Sequence, residues 1–157
     1  MIRRFRDVII SLMALLAFSP ILVLILLLVY LQDFSNPFYI AKRTGLRGKQ
    51  FYMVKIRSMI INADSSGVDS TSSNDKRITH LGKLIRKTKL DEIAQLWNVL
   101  TGDMSLIGPR PNVKSETDLY TPIELKLLTI RPGITDYSSI VFSDEGSILQ
   151  HSVDPDI

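Results

Sequence analysis

The chain has 157 residues, enough for one compact domain with a membrane anchor but too few for two full domains. Its net charge of +3 and its pI of about 9.2 suit an anionic partner without identifying one. The absence of Cys excludes disulfides, thiolate catalysis and Cys-ligated zinc or iron–sulfur centres. Aromatic and basic residues interleave too sparsely to indicate nucleic-acid binding, so no nucleic acid is expected as a partner.

The first predicted element is an apolar segment, Val8–Leu31, whose 24 residues include no charged side chain. That length is sufficient to cross the hydrocarbon core of a bilayer as a helix, and it is too long for the core of a signal peptide. Basic residues, which favour the cytoplasmic side of a membrane, flank both of its ends. The flanking residues are Arg3, Arg4, Arg6, Lys42, Arg43, Arg47, Lys49, Lys55 and Arg57.

Pro20 lies in the middle of this segment, where its ring clashes with the carbonyl of Leu16 and its nitrogen donates no hydrogen bond. Ser19 can hydrogen-bond the freed backbone, so the Ser19-Pro20 pair favours a break in the membrane helix. A helix broken there would be re-entrant: it would enter the cytoplasmic leaflet and leave by the same face. A spanning helix that tolerates the proline remains open as the alternative.

The rest of the chain is predicted to form one small, helix-rich α+β domain with short strands. Phe38–Ile40 and Phe51–Ile56 are typical of strands, and residues 62–74 are predicted to form a loop. The apolar spacing from Ile78 to Leu100 predicts helix, with Thr101-Gly102 as a C-cap. The predicted division is therefore a re-entrant membrane helix at residues 1–33 and a globular domain on the cytoplasmic side at 34–157.

Asp91 and Glu92 are the only acidic residues between Lys76 and Gly102, a stretch rich in Lys and Arg. Two adjacent carboxylates in a basic region could hold Mg²⁺ against a diphosphate, or one could attack phosphorus. The alternative is a structural role. Thr88 could cap the following helix, and acidic side chains in the first turn of a helix are stabilised by the helix dipole. Lys87 could also pair with Asp91 at i,i+4 spacing. A non-catalytic, membrane-docked basic module that binds lipid or recruits partners is the corresponding alternative function.

Three basic residues are further candidates for binding phosphate. Arg110 lies in a Gly-Pro-Arg-Pro loop, where two prolines restrict the backbone around one guanidinium. Lys55 and Arg57 alternate with apolar residues on one face of a predicted strand, which could face a phosphate, the membrane or only solvent. Arg131-Pro132-Gly133 forms a second predicted turn.

The order of these features resembles the bacterial sugar transferases, specifically the small monotopic polyprenyl-phosphate phosphoglycosyl transferases. The matching blocks follow one another over about 130 residues of the chain. They are Ser19-Pro20, Pro37–Tyr39, Lys42–Gly45, Gly48-Lys49, Phe51–Met59, Asp75–Thr79, Leu81-Gly82, Arg86–Thr88, Leu90–Glu92, Gln95–Val99, Gly102–Pro111 and Arg131–Thr135.

The resemblance implies a UDP-sugar and polyprenyl phosphate, usually undecaprenyl phosphate, as substrates, with UMP released. It implies Asp91 and Glu92 as the catalytic dyad and as the contacts of a required Mg²⁺, with Asp91 forming a covalent phosphosugar intermediate. Lys55, Arg86 and Arg110 would bind substrate phosphates. The implied nucleotide loop consists of Gly108, Pro109, Pro111 and Arg131. The implied location is the bacterial inner membrane, with a re-entrant helix and the active site on its cytoplasmic face.

Several positions depart from the family pattern. Ala41 stands where Gln is usual, Ala94 replaces a Pro after the dyad, and Asp136-Tyr137 replace a frequent Gly-Trp pair. Family members usually continue with further helical sequence, so the end at Ile157 is compatible with either a truncated chain or a lean variant of the family. The sugar, the pathway and the role of Asp136-Tyr137 are not predicted, and the oligomeric state is left open, with a homo-oligomer compatible with the sequence.

Overall fold

The computed structural model of the protein describes residues 2–63 and 75–137, so most of the predicted loop 62–74 lies outside the described residues. The helices and strands, in chain order, are α1 (Ile2–Asp33), β1 (Phe38–Thr44), β2 (Gln50–Ile56), α2 (His80–Lys87), α3 (Leu96–Thr101), β3 (Ser105–Ile107), α4 (Lys114–Thr117) and β4 (Gly133–Thr135). Short 3₁₀ segments occupy Leu46–Gly48, Leu90–Gln95 and Glu124–Thr129. The mixed helix-and-strand class predicted from the sequence is confirmed.

Helix α1 has 32 residues and is long and apolar enough to cross a membrane. It contains Pro20 and continues through it, so the predicted break at Ser19-Pro20 is not an interruption of the secondary structure. The Ser19 hydroxyl donates a hydrogen bond to the Leu16 carbonyl at 2.8 Å. That carbonyl is the one whose usual helical donor, four residues later, is replaced by the proline nitrogen. Ser19 therefore compensates for the bond that Pro20 removes.

The N-terminal end of α1 is attached to the globular part of the chain by polar contacts. The buried Asp7 carboxylate accepts a 2.6 Å hydrogen bond from the Ser105 hydroxyl of β3. The Arg4 guanidinium donates to the carbonyls of Val99 and Leu100, in the last turn of α3. A cation at that position also interacts favourably with the negative, C-terminal end of the helix dipole.

The C-terminal end of α1 packs on a different part of the same globular unit. A first core cluster combines two residues of α1 with residues of β2, α2 and the 3₁₀ segment Leu90–Gln95; its buried members are Ile25, Val29, Ile56, Ile85 and Ala94. The Asp33 carboxylate accepts two 2.6 Å hydrogen bonds from the Arg57 guanidinium. Between the two attached ends, all residues from Leu16 to Ile21 are exposed. The middle of the apolar helix is therefore not covered by the rest of the described chain.

Strands β1 and β2 form an antiparallel hairpin in which Phe38 pairs with Ile56 and Thr44 with Gln50. The buried Asn98 side chain connects α3 to this hairpin. Its amide nitrogen donates to the Tyr52 carbonyl at 2.8 Å, and its side-chain oxygen accepts from the Val54 nitrogen at 2.9 Å. A second core cluster lies here, formed by Ala41, Phe51, Met53, Val99 and Met104.

Strands β3 and β4 pair in parallel, with Ser105 opposite Gly133. The two backbones approach closely at their glycines, because a Cβ on Gly133 would lie 2.0 Å from the Gly108 nitrogen. A Cβ on Gly108 would likewise lie 2.4 Å from the Arg131 carbonyl oxygen. Any larger residue at either position would separate the strands and displace the loop that follows β3.

The helical stretch predicted from Ile78 to Leu100 is divided at Lys89, which has a left-handed backbone with φ of 56°. The predicted capping role of Thr88 is wrong, since its hydroxyl donates backwards to the Leu84 carbonyl at 2.8 Å. It therefore helps to end α2 and does not begin the next segment. The predicted C-cap at Gly102 is confirmed, with φ of 96° and its nitrogen bonded to the Asn98 carbonyl.

Candidate active site

Asp91 and Glu92 lie on the 3₁₀ segment Leu90–Gln95, which packs against the end of strand β2. The left-handed turn at Lys89 reverses the chain after α2 and directs this segment towards the hairpin. Asp91 is only 8% exposed, and Glu92 is half-buried. A carboxylate so little exposed needs compensating charge or ligands, because desolvation penalises its ionised form.

Lys55 on β2 supplies part of that compensation. Its ammonium nitrogen lies 3.3 Å from Glu92 Oε1 and 3.9 Å from Asp91 Oδ2. The sequence left open a pairing of Asp91 with Lys87, but the salt bridge comes from the neighbouring strand. Of the two basic residues predicted to share a strand face, Lys55 thus faces the dyad, whereas Arg57 binds Asp33 at the end of α1.

Burial has the largest influence on Asp91 and raises the pKa of its carboxyl group above the ordinary value. The positive charge of Lys55 opposes this rise, the negative charge of Glu92 adds to it, and Arg86 again opposes it. The second oxygen, Asp91 Oδ1, is buried without a hydrogen-bond partner among the described residues. An unsatisfied buried carboxylate oxygen is costly for a fold and is typical of a group reserved for a ligand or for chemistry.

Arg86 acts on the dyad through its charge, and Arg110 acts on Arg86. Desolvation lowers the pKa of the partly buried Arg86, while the charges of Asp91 and Asp75 counteract this. The positive charge of Arg110 also lowers the pKa of Arg86, which means that the two guanidiniums act on the same region. Lys55 and Arg86 therefore both act on the Asp91 carboxyl group, and Arg110 acts on Arg86.

The Gly-Pro-Arg-Pro loop is positioned by strands β3 and β4. The Gly108 nitrogen donates to the Thr135 carbonyl at 3.1 Å, and the Pro109 carbonyl accepts from the Gly133 nitrogen at 3.0 Å. Pro111 is buried, which anchors the far end of the loop. Asp136, one of the residues that depart from the family pattern, accepts a 3.3 Å hydrogen bond from the Arg110 backbone nitrogen. The loop conformation thus depends on Asp136.

Arg131 has a different placement from the other predicted loop residues. Its Nε donates to the Gly102 carbonyl at 2.9 Å, at the C-terminus of α3. A Cβ on Gly102 would lie 3.3 Å from the Arg4 guanidinium, so the two arginines flank the same helix end. The contacts described for Arg131 are therefore with the α1–α3 junction, whereas those of Lys55 are with the dyad.

Two residues of the charged region were not singled out from the sequence as site residues. The Asp75 carboxylate accepts a hydrogen bond from Arg77 Nη2 at 2.7 Å, and this bond is the main reason that the pKa of Asp75 lies below its ordinary value. Both residues belong to the Asp75–Thr79 block that carried the family resemblance. The i,i+2 spacing of Asp75 and Arg77 before α2 was the feature of the sequence that could have indicated this ion pair.

The ligand requirements of the Mg²⁺ implied by the resemblance can be compared with the side-chain donors near the dyad. No group of three or more His, Cys, Asp or Glu side chains forms a metal site within residues 2–63 and 75–137. Magnesium commonly uses only one or two carboxylates and completes its shell with water and substrate phosphates. The orphaned Asp91 Oδ1 and the adjacent Glu92 fit that sparse donor set.

Comparison with known proteins identifies the family. The family described as bacterial sugar transferase matches residues 1–157. The chain belongs to the bacterial sugar transferases. The resemblance drawn from the motif blocks is therefore confirmed, whereas the roles of the individual site residues stay predictions.

Curated members of the bacterial sugar transferases share about a third of their residues with the chain. It is 34% identical over 143 residues to UDP-N-acetylgalactosamine-undecaprenyl-phosphate N-acetylgalactosaminephosphotransferase of Aeromonas hydrophila, covering 89% of this chain and 34% of that protein. It is 36% identical over 143 residues to UDP-glucose:undecaprenyl-phosphate glucose-1-phosphate transferase of Escherichia coli (strain K12), covering 89% and 31%. It is 36% identical over 148 residues to exopolysaccharide production protein ExoY of Sinorhizobium fredii, covering 85% and 66%. The chain spans about a third of the first two relatives and 66% of ExoY.

Proposed function

We propose that the chain transfers a phosphosugar from a UDP-sugar to polyprenyl phosphate, with undecaprenyl phosphate as the acceptor, in the first membrane step of glycoconjugate assembly. The observation that carries this proposal is the buried carboxyl group of Asp91, which lies beside Glu92 and Lys55. Its pKa is raised by burial, and its Oδ1 has no hydrogen-bond partner among the described residues. The names of the Aeromonas and Escherichia relatives support the same pair of substrates.

The proposed reaction has two displacements at one phosphorus atom. An Asp91 oxygen attacks the sugar-bearing phosphorus, and the bond from that phosphorus to the bridging oxygen breaks, so that UMP leaves. A phosphate oxygen of the acceptor lipid then attacks the same phosphorus, which breaks its bond to Asp91 and restores the carboxylate. The product is a polyprenyl diphosphate sugar, and neither displacement requires a net proton transfer.

Positive charge supplies most of the remaining stabilisation in such a transfer, because phosphoryl groups pass between anions. Lys55 lies near both carboxylates and is placed to hold the attacked phosphoryl oxygens. Arg86 and Arg110 would hold the diphosphate, in keeping with their mutual electrostatic influence. Asp91 and Glu92 would hold Mg²⁺, which when bound neutralises charge on the diphosphate.

We further propose that α1 is re-entrant and that the active site lies on the cytoplasmic face of the inner membrane. Arg4 at one end and Asp33 at the other are bonded to the same globular unit. A helix that spans the bilayer would place its two ends on opposite sides of a hydrocarbon core about 30 Å thick. The exposed stretch Leu16–Ile21, which includes Pro20, would then be the part that enters the bilayer most deeply.

The topology can be tested by cysteine labelling, because the natural chain contains no Cys. The single replacement Ile2→Cys is expected to resist a membrane-impermeant maleimide in spheroplasts and to react after permeabilisation. Tyr137→Cys, on an exposed residue of the globular part, is the matched reference for the cytoplasmic side. Labelling of Ile2→Cys in intact spheroplasts, with Tyr137→Cys protected, would instead establish a spanning helix.

The replacement Lys55→Gln is expected to shift the acid limb of the UMP-release profile to higher pH. Asp91 attacks only when ionised, so the rate rises with pH through its pKa, which burial already raises. Removing the Lys55 charge removes an influence that lowers this pKa. The rate at neutral pH is also expected to fall about 10²-fold, because a cation at the transferred phosphoryl group is lost. Lys114→Gln, which changes an exposed lysine paired with Asp118, is the control.

The proposed function as a whole is tested by screening UDP-sugars for UMP release from the purified chain, with and without undecaprenyl phosphate. The expected result is about one equivalent of UMP per enzyme without the lipid and sustained turnover with it, for at least one sugar. If no UDP-sugar releases UMP from folded protein in either condition, the proposal is wrong and a non-catalytic role would replace it.

A further inference from the structure

An open apolar groove lies next to the dyad, with Glu92 at its rim, and the chemistry proposed above does not use it. Five apolar side chains form its walls, namely Ile93, Leu96, Leu106, Ile107 and Ile134. The polar residues at its rim are Lys89, Glu92 and Thr135. All eight residues belong to the described part of the chain, and they come from Lys89, the 3₁₀ segment Leu90–Gln95, α3, β3 and β4.

One end of the groove adjoins the membrane helix. The Arg3 guanidinium donates a hydrogen bond to the Ile107 carbonyl, and the uncharged segment of α1 starts five residues later, at Val8. Ile107 is 63% exposed, and Trp97, next to Leu96 on α3, is 59% exposed. Exposed tryptophan is typical of the membrane–water interface, where its ring is partly apolar and partly polar. An apolar chain leaving the bilayer at this point could therefore enter the groove without crossing water.

The lining of the groove also includes a cation suited to an anionic head, Lys89. Lys89 is an exposed lysine with a left-handed backbone conformation. No carboxylate forms a salt bridge with Lys89 among residues 2–63 and 75–137. The neighbouring Glu92 already has its negative charge offset by Lys55 at 3.3 Å. A phosphate at this part of the groove would therefore meet the Lys89 ammonium, beside a Glu92 whose charge is partly offset by Lys55.

We propose that this groove binds the isoprenoid chain of the acceptor lipid and that Lys89 binds its phosphate. This inference rests on the proposed function and adds to it an acceptor subsite distinct from the arginine-lined diphosphate region. In this arrangement the diphosphate would be held by Arg86 and the lipid phosphate by Lys89 at the groove.

Binding can be measured without catalysis, because Trp97 is the only tryptophan and is next to a groove residue. The full chain in a neutral detergent would be titrated with undecaprenyl phosphate, with the uncharged undecaprenol, and with the short geranyl phosphate, while Trp97 fluorescence is recorded. Ile107→Asn is expected to weaken binding of both long-chain lipids about tenfold and to affect geranyl phosphate much less. Lys89→Gln is expected to weaken binding of undecaprenyl phosphate about tenfold and to leave undecaprenol binding unchanged.

Two matched variants serve as controls for these effects. Lys87→Gln removes an exposed lysine of α2, and Ile123→Asn changes an exposed isoleucine outside the groove. If either control weakens binding as much as its partner, or if both lipids bind all variants equally, the groove is not the acceptor site. If Ile107→Asn and Lys89→Gln bind the lipids as the unchanged chain does, while UMP release is observed, this inference is overturned and the proposed function is not. The predicted binding pattern without any UMP release supports the groove and contradicts the proposed catalysis.

Discussion

Replacing Asp91 by Asn is expected to lower UMP release at least about 10³-fold without lowering the thermal midpoint of unfolding. The asparagine amide cannot attack phosphorus, so the first displacement stops. The direction of the pKa shift determines the stability outcome. Since the folded-state pKa of Asp91 is raised, its contribution to stability is full below the unfolded-state pKa and is lost as pH rises through the folded-state value. At neutral pH, removing this buried charge should therefore leave stability unchanged or increase it.

The control for this prediction is Asp118→Asn, which neutralises an exposed carboxylate paired with Lys114 on the surface. It should change neither UMP release nor the unfolding midpoint by a measurable amount, because exposed ion pairs contribute little. If Asp91 were only a helix-capping acid, its asparagine variant would lower the midpoint and keep the activity. That pattern would contradict Asp91 as the nucleophile.

Replacing Gly133 by Ala is expected to destabilise the fold by about 2–4 kcal/mol and to abolish UMP release. The new methyl group would lie 2.0 Å from the Gly108 nitrogen and 2.5 Å from its oxygen. Both atoms are backbone, so the clash cannot be relieved by rotating a side chain. The strands β3 and β4 would separate, and the loop that carries Arg110 would lose its position.

Gly48→Ala is the matched control for the effect at Gly133. Gly48 has φ of 75°, but no neighbouring atom lies within 4 Å of the position that an added methyl group would take. Only the backbone strain of about 1 kcal/mol therefore remains. Thermal and denaturant unfolding, followed by Trp97 fluorescence, would compare the two variants. Equal destabilisation by both replacements would contradict the close backbone contact between β3 and β4.

The local elements were predictable where residue patterns are strong. The run Phe51–Ile56 appears as β2, Gln50–Ile56, because its residues are β-prone and a Gly-rich turn precedes it. The first strand was predicted only as Phe38–Ile40, whereas β1 extends to Thr44. Its basic residues Lys42 and Arg43 carry no strand pattern of their own, and pairing with β2 extends the strand.

The departures from prediction have physical causes that local patterns do not reveal. Lys89 adopts a left-handed backbone although it is neither Gly nor Asn, so no residue type indicated the turn between α2 and the dyad. Thr88 could bond forwards or backwards, and tertiary packing selects the backward bond to Leu84. The predicted break at Pro20 is bridged by the hydroxyl of Ser19.

The candidate site was predictable in its residue types more than in its geometry. Asp91 stood out because it lies in a basic stretch, yet its partner Lys55 is 36 residues away in the chain. Such long-range contacts depend on the complete fold, as does the bond between Asp7 and Ser105. The order of the family motifs supplied what spacing alone could not, namely that Lys55 and Asp91 belong to one site.

The proposed covalent chemistry is tested most directly by the mass of the intact protein. The purified chain would be incubated with an accepted UDP-sugar and Mg²⁺, without acceptor lipid, and then digested to locate any adduct. The expected result is an added mass of one phosphosugar on Asp91, which disappears when undecaprenyl phosphate is supplied. Sustained turnover without any adduct, or an adduct on Glu92, would contradict Asp91 as the nucleophile.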